Sequence, residues 1–394
     1  MKIPLTFLIL LFFPLLIKTN QTKNTIYLPL VHVSTENYFP NKVISPPLMS
    51  PRAHRGLMYI AEIYFGSVKQ YLHVDTGSTF TWINCHPCSH CLVDNIYPKY
   101  RPAESETYFD AFCEATEKDS NPRFTYSRGR CNYELQYADD STFRGTLSLE
   151  TIKLETLDGG FETVEDVYFG CNYQALGHYD GTGTGLLGLG LGKYSLVEKL
   201  GSRFSFCFGQ IKEGTSTHNL ILGDGAVIQG HPTVVNIEDG LYMFQLESVL
   251  VDEKKTLDKP LQVVLDTGTS ICHFSSDLFR FIVARVDKLI GYRFRILTYG
   301  SLLCYQVGAQ EIPDQIDISF IFAGGAELRV DVRSLLVPNG SPGILCLAID
   351  EIPKNKRGED IHPTLIGAVA MQGYNFGYDL KAKTVYFQKR TCNV

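Results

Sequence analysis

Two copies of the tripeptide Asp-Thr-Gly are the part of this chain best suited to chemistry. Asp75 follows the apolar segment YLHV, and Asp266 follows VVL, so each carboxylate comes directly after an apolar run. A carboxylate behind a buried strand is costly unless a function at the end of the strand requires it. The copies lie 191 positions apart (266 − 75) in similar surroundings. This repetition indicates a duplicated unit, and two halves that face each other would bring both carboxylates to one site.

A pair of neighbouring carboxylates predicts acid–base hydrolysis. Two such groups cannot both ionise easily, because each negative charge raises the pKa of the other group. The pair therefore shares a proton and titrates as a unit. The ionised member can deprotonate a water molecule between them, while the protonated member donates to a substrate carbonyl. This chemistry uses activated water, and we expect neither a cofactor nor a metal.

The residues after each Asp are of types that support a carboxylate. In each copy a threonine hydroxyl can brace the turn and link the halves, a glycine can donate its N–H to the carboxylate, and a further hydroxyl can bond the outer carboxylate oxygen. These residues are Thr76, Gly77 and Ser78 in the first copy and Thr267, Gly268 and Thr269 in the second. The alternative, two surface turns capped by Asp, is disfavoured because both copies share the same context.

The segments around these motifs predict a mostly β protein. Residues 56–67 predict a strand that turns at Gly66, and residues 68–77 predict its partner. Residues 131–151 alternate in polarity on either side of Asp139 and Asp140, which is typical of a β-hairpin with its tip there. Residues 94–130 are polar and contain prolines, and we expect a loop-rich insertion stapled by cysteines.

An apolar-apolar-Gly element follows each Asp-Thr-Gly at a comparable distance. Gly188 ends the first such element 113 positions after Asp75 (188 − 75), and Gly367 ends the second 101 positions after Asp266 (367 − 266). The halves thus repeat two elements in the same order. With 394 residues the chain is long enough for two lobes, and we expect an N-terminal lobe over 56–235 and a C-terminal lobe over 236–394.

The N-terminus predicts targeting and processing. Residues 3–17 are apolar and flanked by Lys2 and Lys18, a run that suits a secretory signal over 1–20 better than a membrane anchor. Residues 21–55 end in a basic cluster and predict a short leader or propeptide, although Ile26 to Val33 could instead form an ordered strand. We expect secretion to the cell exterior or delivery to the vacuole, with no membrane attachment after signal cleavage.

Charge and cysteine content narrow the partners further. The formal charge of −6 argues against nucleic-acid binding. Eleven cysteines, including the C-x2-C-x2-C at Cys85, Cys88 and Cys91, fit an oxidising compartment. Zinc is the alternative for that motif because His86 and His90 are nearby, but disulfides are favoured in a secreted chain. The odd number leaves at least one thiol without an intramolecular partner.

Other catalytic signatures are missing from the sequence. There is no H-E-x-x-H pair and no G-x-S-x-G elbow, and the glycine-rich stretch 181–201 lacks the Gly-Lys-Ser/Thr of a phosphate loop. Asn339 begins an Asn-Gly-Ser sequon and is a predicted glycosylation site, although Pro342 follows it.

Taken together, these motifs resemble a pepsin-type aspartic endopeptidase, and more closely its nepenthesin-type (atypical) branch of plants. The resemblance covers residues 56–394. The segments that carry it are HVDTGSTFTWINCHPCSHC, YADDSTFRG, FGCN, GLLGLG, FSFCF, LDTGTS, LIGAVA and NFGYDL. The fold it implies is bilobal, with two related β-barrel-like lobes, a central cleft and a flap hairpin.

The resemblance assigns roles to individual residues. It implies that Asp75 and Asp266 are the catalytic pair, that Tyr137 closes over the substrate and that Trp82 hydrogen-bonds this tyrosine. It also implies five disulfides and a free Cys272, whose simplest role is that of a small buried hydrophobe. The implied pairs are Cys85–Cys88, Cys91–Cys171, Cys113–Cys131, Cys207–Cys392 and Cys304–Cys346.

The chain departs from the branch at the tip of the flap. The sequence there is YADDS, in which Ala138 and Asp140 replace the two glycines usual in the branch. We therefore expect a monomeric endopeptidase with protein or peptide substrates, a preference for hydrophobic residues around the cut bond and an acidic pH optimum. The alternative is a catalytically weak pepsin-like protein that acts as an inhibitor or binding module.

Overall fold

The computed structural model describes residues 25–33, 58–91, 97–116, 120–177, 183–210, 218–256, 259–307, 312 and 316–392. The predicted signal, residues 1–20, lies outside this range. No helix in the described part of the chain is long and apolar enough to cross a membrane.

The protein is built almost entirely of β-strands. In the first half these are Ile26–Val33 (β1), Met58–Phe65 (β2), Val68–Asp75 (β3), Trp82–Ser89 (β4), Phe109–Asp110 (β5), Arg123–Ser127 (β6), Arg130–Gln136 (β7), Thr142–Glu155 (β8), Phe161–Leu176 (β9), Gly185–Gly188 (β10), Arg203–Phe208 (β11) and His218–Leu222 (β12). In the second half they are His231–Glu238 (β13), Leu241–Val251 (β14), Lys254–Thr256 (β15), Leu261–Asp266 (β16), Cys272–Phe274 (β17), Arg295–Tyr299 (β18), Leu302–Gln306 (β19), Asp317–Phe322 (β20), Glu327–Asp331 (β21), Leu336–Pro338 (β22), Ile344–Leu347 (β23), Ile349–Glu351 (β24), Thr364–Gly367 (β25), Tyr374–Asp379 (β26) and Thr384–Lys389 (β27).

Two α-helices lie among the described residues. The short helix Leu196–Lys199 (α1) begins after Ser195, whose hydroxyl accepts a hydrogen bond from the Val197 N–H and so caps the helix as its residue type predicts. The longer helix Ser276–Ile290 (α2) buries Leu278, Ile282, Val286 and Ile290, spaced so that they form one face against the C-terminal half. The remaining helical segments are 3-10 turns: Pro102–Glu104, Gly223–Gly225, Gly291–Arg293, Ala323–Gly325, Val332–Leu335 and Ala368–Met371.

A six-stranded antiparallel sheet connects the two halves. Its order is β1, β12, β11, β26, β27 and β13, so strands of the first half are hydrogen-bonded directly to strands of the second. Phe204, Phe206, Tyr378 and Phe387 are fully or almost fully buried here. The lobes therefore share a packed floor.

Strand β1 changes the interpretation of the predicted leader. Residues 26–29 pair with β12 and residues 30–33 pair with β2. Leu28 is fully buried, and Ile26 and Leu30 are nearly so. Residues 26–33 therefore form the ordered strand that was the alternative for this segment, and they complete the central sheet. Removal of residues 21–55 as a leader stays a prediction.

Above this floor each half has its own sheet. In the first half, β2 and β3 form the predicted antiparallel pair, and β7 and β8 form the predicted hairpin. A second core lies under this hairpin and includes Phe80, Trp82, Phe124, Tyr133 and Phe143. In the second half, β14, β16, β25, β17, β20 and β21 form the corresponding sheet, with α2 packed beside it.

Candidate active site

The two Asp-Thr-Gly motifs occupy equivalent positions in the two halves. Strand β3 runs parallel to β10 with Asp75 opposite Gly188, and β16 runs parallel to β25 with Asp266 opposite Gly367. In both cases the apolar run before the Asp is buried between its neighbours, which places the carboxylate at the end of the strand. The repeated apolar-apolar-Gly elements therefore support the two Asp residues in the same way.

Reciprocal threonine contacts join the two motifs. The Thr76 N–H donates to Thr267 Oγ1 over 3.0 Å, and the Thr267 N–H donates to Thr76 Oγ1 over the same distance. Each hydroxyl then donates across the site, Thr76 to the Leu265 carbonyl at 2.7 Å and Thr267 to the Val74 carbonyl at 2.9 Å. Both side chains are fully buried. Four hydrogen bonds thus fix one motif against the other.

Each carboxylate accepts two local hydrogen bonds. Asp75 Oδ1 accepts from the Gly77 N–H at 2.7 Å, and its Oδ2 accepts from the Ser78 hydroxyl. Asp266 Oδ1 accepts from the Gly268 N–H at 2.9 Å, and its Oδ2 accepts from the Thr269 hydroxyl at 2.5 Å. The supporting roles expected of these four residues are what the geometry shows.

The glycines also make room for the opposite carboxylate. A Cβ at Gly77 would lie 2.7 Å from Asp266 Oδ1, and a Cβ at Gly268 would lie 2.3 Å from Asp75 Oδ1. Both distances are shorter than a carbon–oxygen contact allows. Each motif therefore needs a residue without a side chain where the other Asp approaches.

Asp75 is held in a site that favours its protonated form. It is 5% exposed. Burial raises the pKa of Asp75 well above its ordinary value, and the nearby Asp266 carboxyl raises it further through its charge and a side-chain hydrogen bond; hydrogen bonds from Ser78 and Gly77 act in the opposite direction. The pair therefore has the electrostatics of a proton-sharing dyad.

The predicted flap tyrosine lies over this pair. Tyr137 directly follows β7, and its hydroxyl accepts a hydrogen bond of 2.8 Å from Trp82 Nε1. Burial and the Asp75 carboxylate raise the pKa of Tyr137, while hydrogen bonds with Trp82 and Ser78 counter this. Tyr137, Ser78 and Asp75 are thus connected, and Trp82 anchors the connection at its far end.

The tip of the flap is closed by its own hydrogen bonds. The Tyr137 N–H donates to the Ser141 carbonyl at 2.9 Å, and the Asp140 N–H donates to the Tyr137 carbonyl at 3.1 Å. Asp139 accepts from the Ser141 N–H at 2.9 Å. Asp140 has φ +65°, the left-handed conformation in which a glycine is usually found. Asp140 is exposed to solvent.

Three of the five implied disulfides have the expected partners, and two do not. Cys113–Cys131, Cys207–Cys392 and Cys304–Cys346 are as implied, and Cys272 is free and buried. The pairs Cys85–Cys88 and Cys91–Cys171 are wrong.

The structure pairs Cys85 with Cys171 and Cys88 with Cys91 instead. The reason is that β4 and β9 are parallel neighbours with Ile83 opposite Cys171, which leaves Cys85 beside that cysteine. The other two cysteines then meet across the turn after β4.

Burial bears on two further sequence predictions. Asn339 is 3% exposed, its Oδ1 accepts from the Ser341 N–H at 2.9 Å, and its Nδ2 is enclosed by protein. Glycosylation attaches to that nitrogen, and its enclosure argues against a sugar there; glycosylation of Asn339 stays a prediction. Cys272 is fully buried, and burial raises the pKa of its thiol to about 12, which agrees with the role of a small hydrophobe.

Sequence reasoning missed Tyr378. Its ring is fully buried in the central sheet and stacks on Phe204 with ring centroids 4.3 Å apart. Burial and the Asp266 carboxylate raise the pKa of its hydroxyl. The only sequence signal was the apolar alternation of NFGYDL, which predicts a strand and not its position beneath the dyad.

Comparison with known sequences agrees with this geometry. Residues 59–224 match the family model described as "Xylanase inhibitor N-terminal", and residues 241–389 match "Xylanase inhibitor C-terminal". The chain is 49% identical to "Aspartyl protease UND" of Arabidopsis thaliana over 100% of both chains. It is 27% identical to "Aspartic proteinase nepenthesin-2" of Nepenthes gracilis, over 81% of this chain and 74% of that protein.

Comparison with solved structures supports the fold. The structure of basic 7S globulin from soybean superposes with a TM-score of 0.69, covering 93% of this chain and 95% of the globulin. Only 17% of the aligned residues are identical. This likeness therefore bears on the fold and not on the activity.

Proposed function

This chain belongs to the pepsin-like aspartic protease family and is an aspartic endopeptidase, and we propose that it cuts peptide bonds by means of a water molecule activated between Asp75 and Asp266. The observation that carries the proposal is the braced pair itself. Two carboxylates lie at equivalent strand ends, each with its own hydrogen-bond donors, and burial favours one shared proton. That is the arrangement that water activation requires.

The roles of the two carboxyls follow from their surroundings. Asp75 is the more deeply buried, and its raised pKa favours it as the proton carrier that donates to the substrate carbonyl. Asp266 is more accessible and is held by Gly268 and Thr269, so it is the member of the pair that takes the proton from water. The proton is lost as the pH rises through the pKa of the pair, so we expect an acidic optimum.

The substrate is expected to lie in the cleft under the flap. Protein or peptide substrates follow from the family. Tyr137 would cover the chain on one side. A preference for hydrophobic residues next to the cut bond is what the resemblance to the family implies. The N-terminal apolar run and the five disulfides support the expectation of secretion. The expectation of a monomer comes from the pepsin-like architecture.

Replacing either Asp tests the mechanism. Asp75→Asn and Asp266→Asn should each lower cleavage of a denatured protein at acidic pH by on the order of 10³-fold or more, because neither variant can hold a proton and a charge in the pair. Asp277→Asn is the matched control, since Asp277 is fully exposed on α2. Pepstatin should abolish the wild-type cleavage. Near-normal turnover by either active-site variant would contradict the proposal.

The second candidate is an inhibitor or binding module of the same fold. The two matching family models describe xylanase inhibitors and so favour it, as does the altered flap tip at Asp140. Against it stand the intact dyad and the Tyr137–Trp82 hydrogen bond, which a binding role does not require. An absence of pepstatin-sensitive cleavage by correctly folded wild-type protein would favour this candidate.

A further inference from the structure

We propose that Asn121 is a positioning residue that holds the base of the flap by replacing a missing pair of backbone hydrogen bonds. This inference rests on the proposed function, because it concerns the flap that closes over the substrate. Asn121 lies in the insertion between Cys113 and Cys131, which the resemblance did not connect with catalysis.

The register of the flap strands shows what is missing. Strand β7 pairs with β8 on one side, as far as Gln136 opposite Thr142. On its other side it pairs with β6, but that ladder ends with Glu134 opposite Arg123. Continuing the same register would place residue 122 opposite 135 and residue 121 opposite 136. Because successive residues of a strand point their N–H and C=O to opposite sides, those of Gln136 would face residue 121.

The side chain of Asn121 makes the contacts that a backbone pair would make. Its Nδ2 donates to the Gln136 carbonyl at 2.7 Å, and its Oδ1 accepts from the Gln136 N–H at 3.1 Å. A primary amide has the donor and acceptor geometry of a peptide group, so one side chain satisfies both outward-facing groups of Gln136. The three-stranded arrangement therefore extends to the residue immediately before Tyr137.

The segment that carries Asn121 is itself anchored. The Phe124 N–H donates to Thr116 Oγ1 at 2.7 Å, and the Thr116 N–H donates to the Phe124 carbonyl at 3.0 Å. The Phe124 ring packs edge-on against Phe80 with centroids 5.8 Å apart. Phe80 in turn lies five positions beyond Asp75 in sequence and in the core under the flap. Asn121 thus ties the flap to a fixed part of the lobe.

This tie limits where the flap can bend. Without it, the strand that leads to Tyr137 would be an exposed edge from Leu135 onward and would bend further from the tip. With it, bending is confined to residues 138–141. The hydroxyl of Tyr137 is then held near Trp82 before substrate arrives, so binding orders less of the flap.

The chain offers a direct reporter of this effect. Trp82 is its single tryptophan, is 1% exposed and donates to the Tyr137 hydroxyl. Quenching of tryptophan fluorescence by acrylamide therefore reports how well the flap covers this ring. The experiment compares Asn121→Ala and Asn121→Asp with the control Asn132→Ala. Asn132 lies near the start of β7, and its Nδ2 donates to the Ser127 hydroxyl at 3.0 Å and to the Arg130 carbonyl at 3.5 Å.

We expect Asn121→Ala to raise KM for a peptide substrate about three- to tenfold with kcat changed by less than about twofold, because two solvent-exposed hydrogen bonds are lost and the substrate must order the flap. Quenching of Trp82 should increase in parallel. Asn121→Asp keeps the acceptor and loses the donor, so it should fall between Ala and wild type. The control should match wild type in KM and quenching.

Two results would overturn the proposal. One is an Asn121→Ala variant that equals the Asn132→Ala control in both KM and Trp82 quenching. The other is a lower melting temperature with unchanged quenching, which would indicate a general structural role. Fluorescence does not depend on turnover, so an inactive wild-type protein would count against the proposed function while the quenching series still decides the role of Asn121.

Discussion

The two halves of the molecule hold their catalytic Asp residues in equivalent positions but cover them differently. Asp75 and Asp266 have equivalent strand registers, equivalent N–H donors and equivalent hydroxyl donors. Among the described residues, only those of the first half form a hairpin that returns over the site with Tyr137. In the second half the chain continues after β17 into helix α2. Duplication thus supplies two acids, and the unequal covering distinguishes them.

The largest expected effect comes from adding a methyl group where each motif meets the opposite Asp. Gly268→Ala would press on buried Asp75, and Gly77→Ala would press on the more accessible Asp266. We expect both variants to lower kcat/KM, and Gly268→Ala to lower it more, on the order of 10³-fold. The added Cβ of Gly268→Ala would lie 2.3 Å from Asp75 Oδ1, the shorter of the two distances, and buried Asp75 has less room to move. Steady-state kinetics on purified variants measures this. Equal losses of kcat/KM in the two variants would contradict the inferred difference between the two Asp sites.

The threonine contacts test the symmetry of the frame. Thr76→Val and Thr267→Val each remove a buried hydroxyl and leave one N–H and one carbonyl of the opposite half without a partner. Each should lower the free energy of unfolding by about 2–4 kcal/mol, and by similar amounts, because the bonds are reciprocal. Urea denaturation followed by circular dichroism gives the values. A large difference between the two variants would show that one half carries the link.

The pH dependence of stability tests the burial of Asp75. Its pKa in the folded protein is raised above the 3.8 of an ordinary Asp, so the folded state binds more protons than the unfolded state between these two pKa values. The protonated group is tolerated at low pH, and stability is lost as the pH rises through the folded-state pKa.

Asp75→Asn removes this loss. We expect it to be more stable than wild type at neutral pH, by about 1.4 kcal/mol for each unit by which the pKa is raised, with the difference vanishing below about pH 4. Thermal melts across pH measure the difference, and Asp140→Asn, at an exposed site, should show no such trend. A stabilisation that does not depend on pH would contradict the assignment.

The smallest expected effect concerns the flap tip, which has no equivalent in the described part of the second half. Asp140→Gly would relieve the left-handed conformation at φ +65° and should stabilise the protein by up to about 1 kcal/mol. It would also restore a flexible residue and remove a charge above the cleft. Thermal melts measure the change in stability, and Asp139→Gly is the control. The Asp139 carboxylate accepts a hydrogen bond from the Ser141 N–H, so losing this side chain should destabilise the protein.

The sequence predicted some parts of this protein well because they depend on local pattern. The β2–β3 pair and the β7–β8 hairpin follow from alternation and turn chemistry over a few residues. The partners of Cys85 and Cys91 could not be derived in this way, because all three cysteines of C-x2-C-x2-C are close enough in sequence to pair in several ways. The parallel pairing of β4 with β9 determines that Cys85 bonds Cys171.

Burial was the other feature that local pattern did not reveal. The Asn339 sequon satisfies the sequence rule for glycosylation, yet the side chain is enclosed when β22 and β23 pair around it. Residues 26–33 were equally compatible with a removable leader, and only their pairing with β2 and β12 makes them part of the central sheet.

By itself the sequence determined that two carboxylates stand at repeated strand ends with hydroxyl and glycine neighbours, because residue type and spacing carry that information. The tertiary structure decided everything that depends on distance between remote segments. It brought the motifs together through Thr76 and Thr267, placed Tyr137 over Asp75, and aligned Asn121 with Gln136. These contacts span from 15 to 191 positions, and only the packing of the two halves sets such distances.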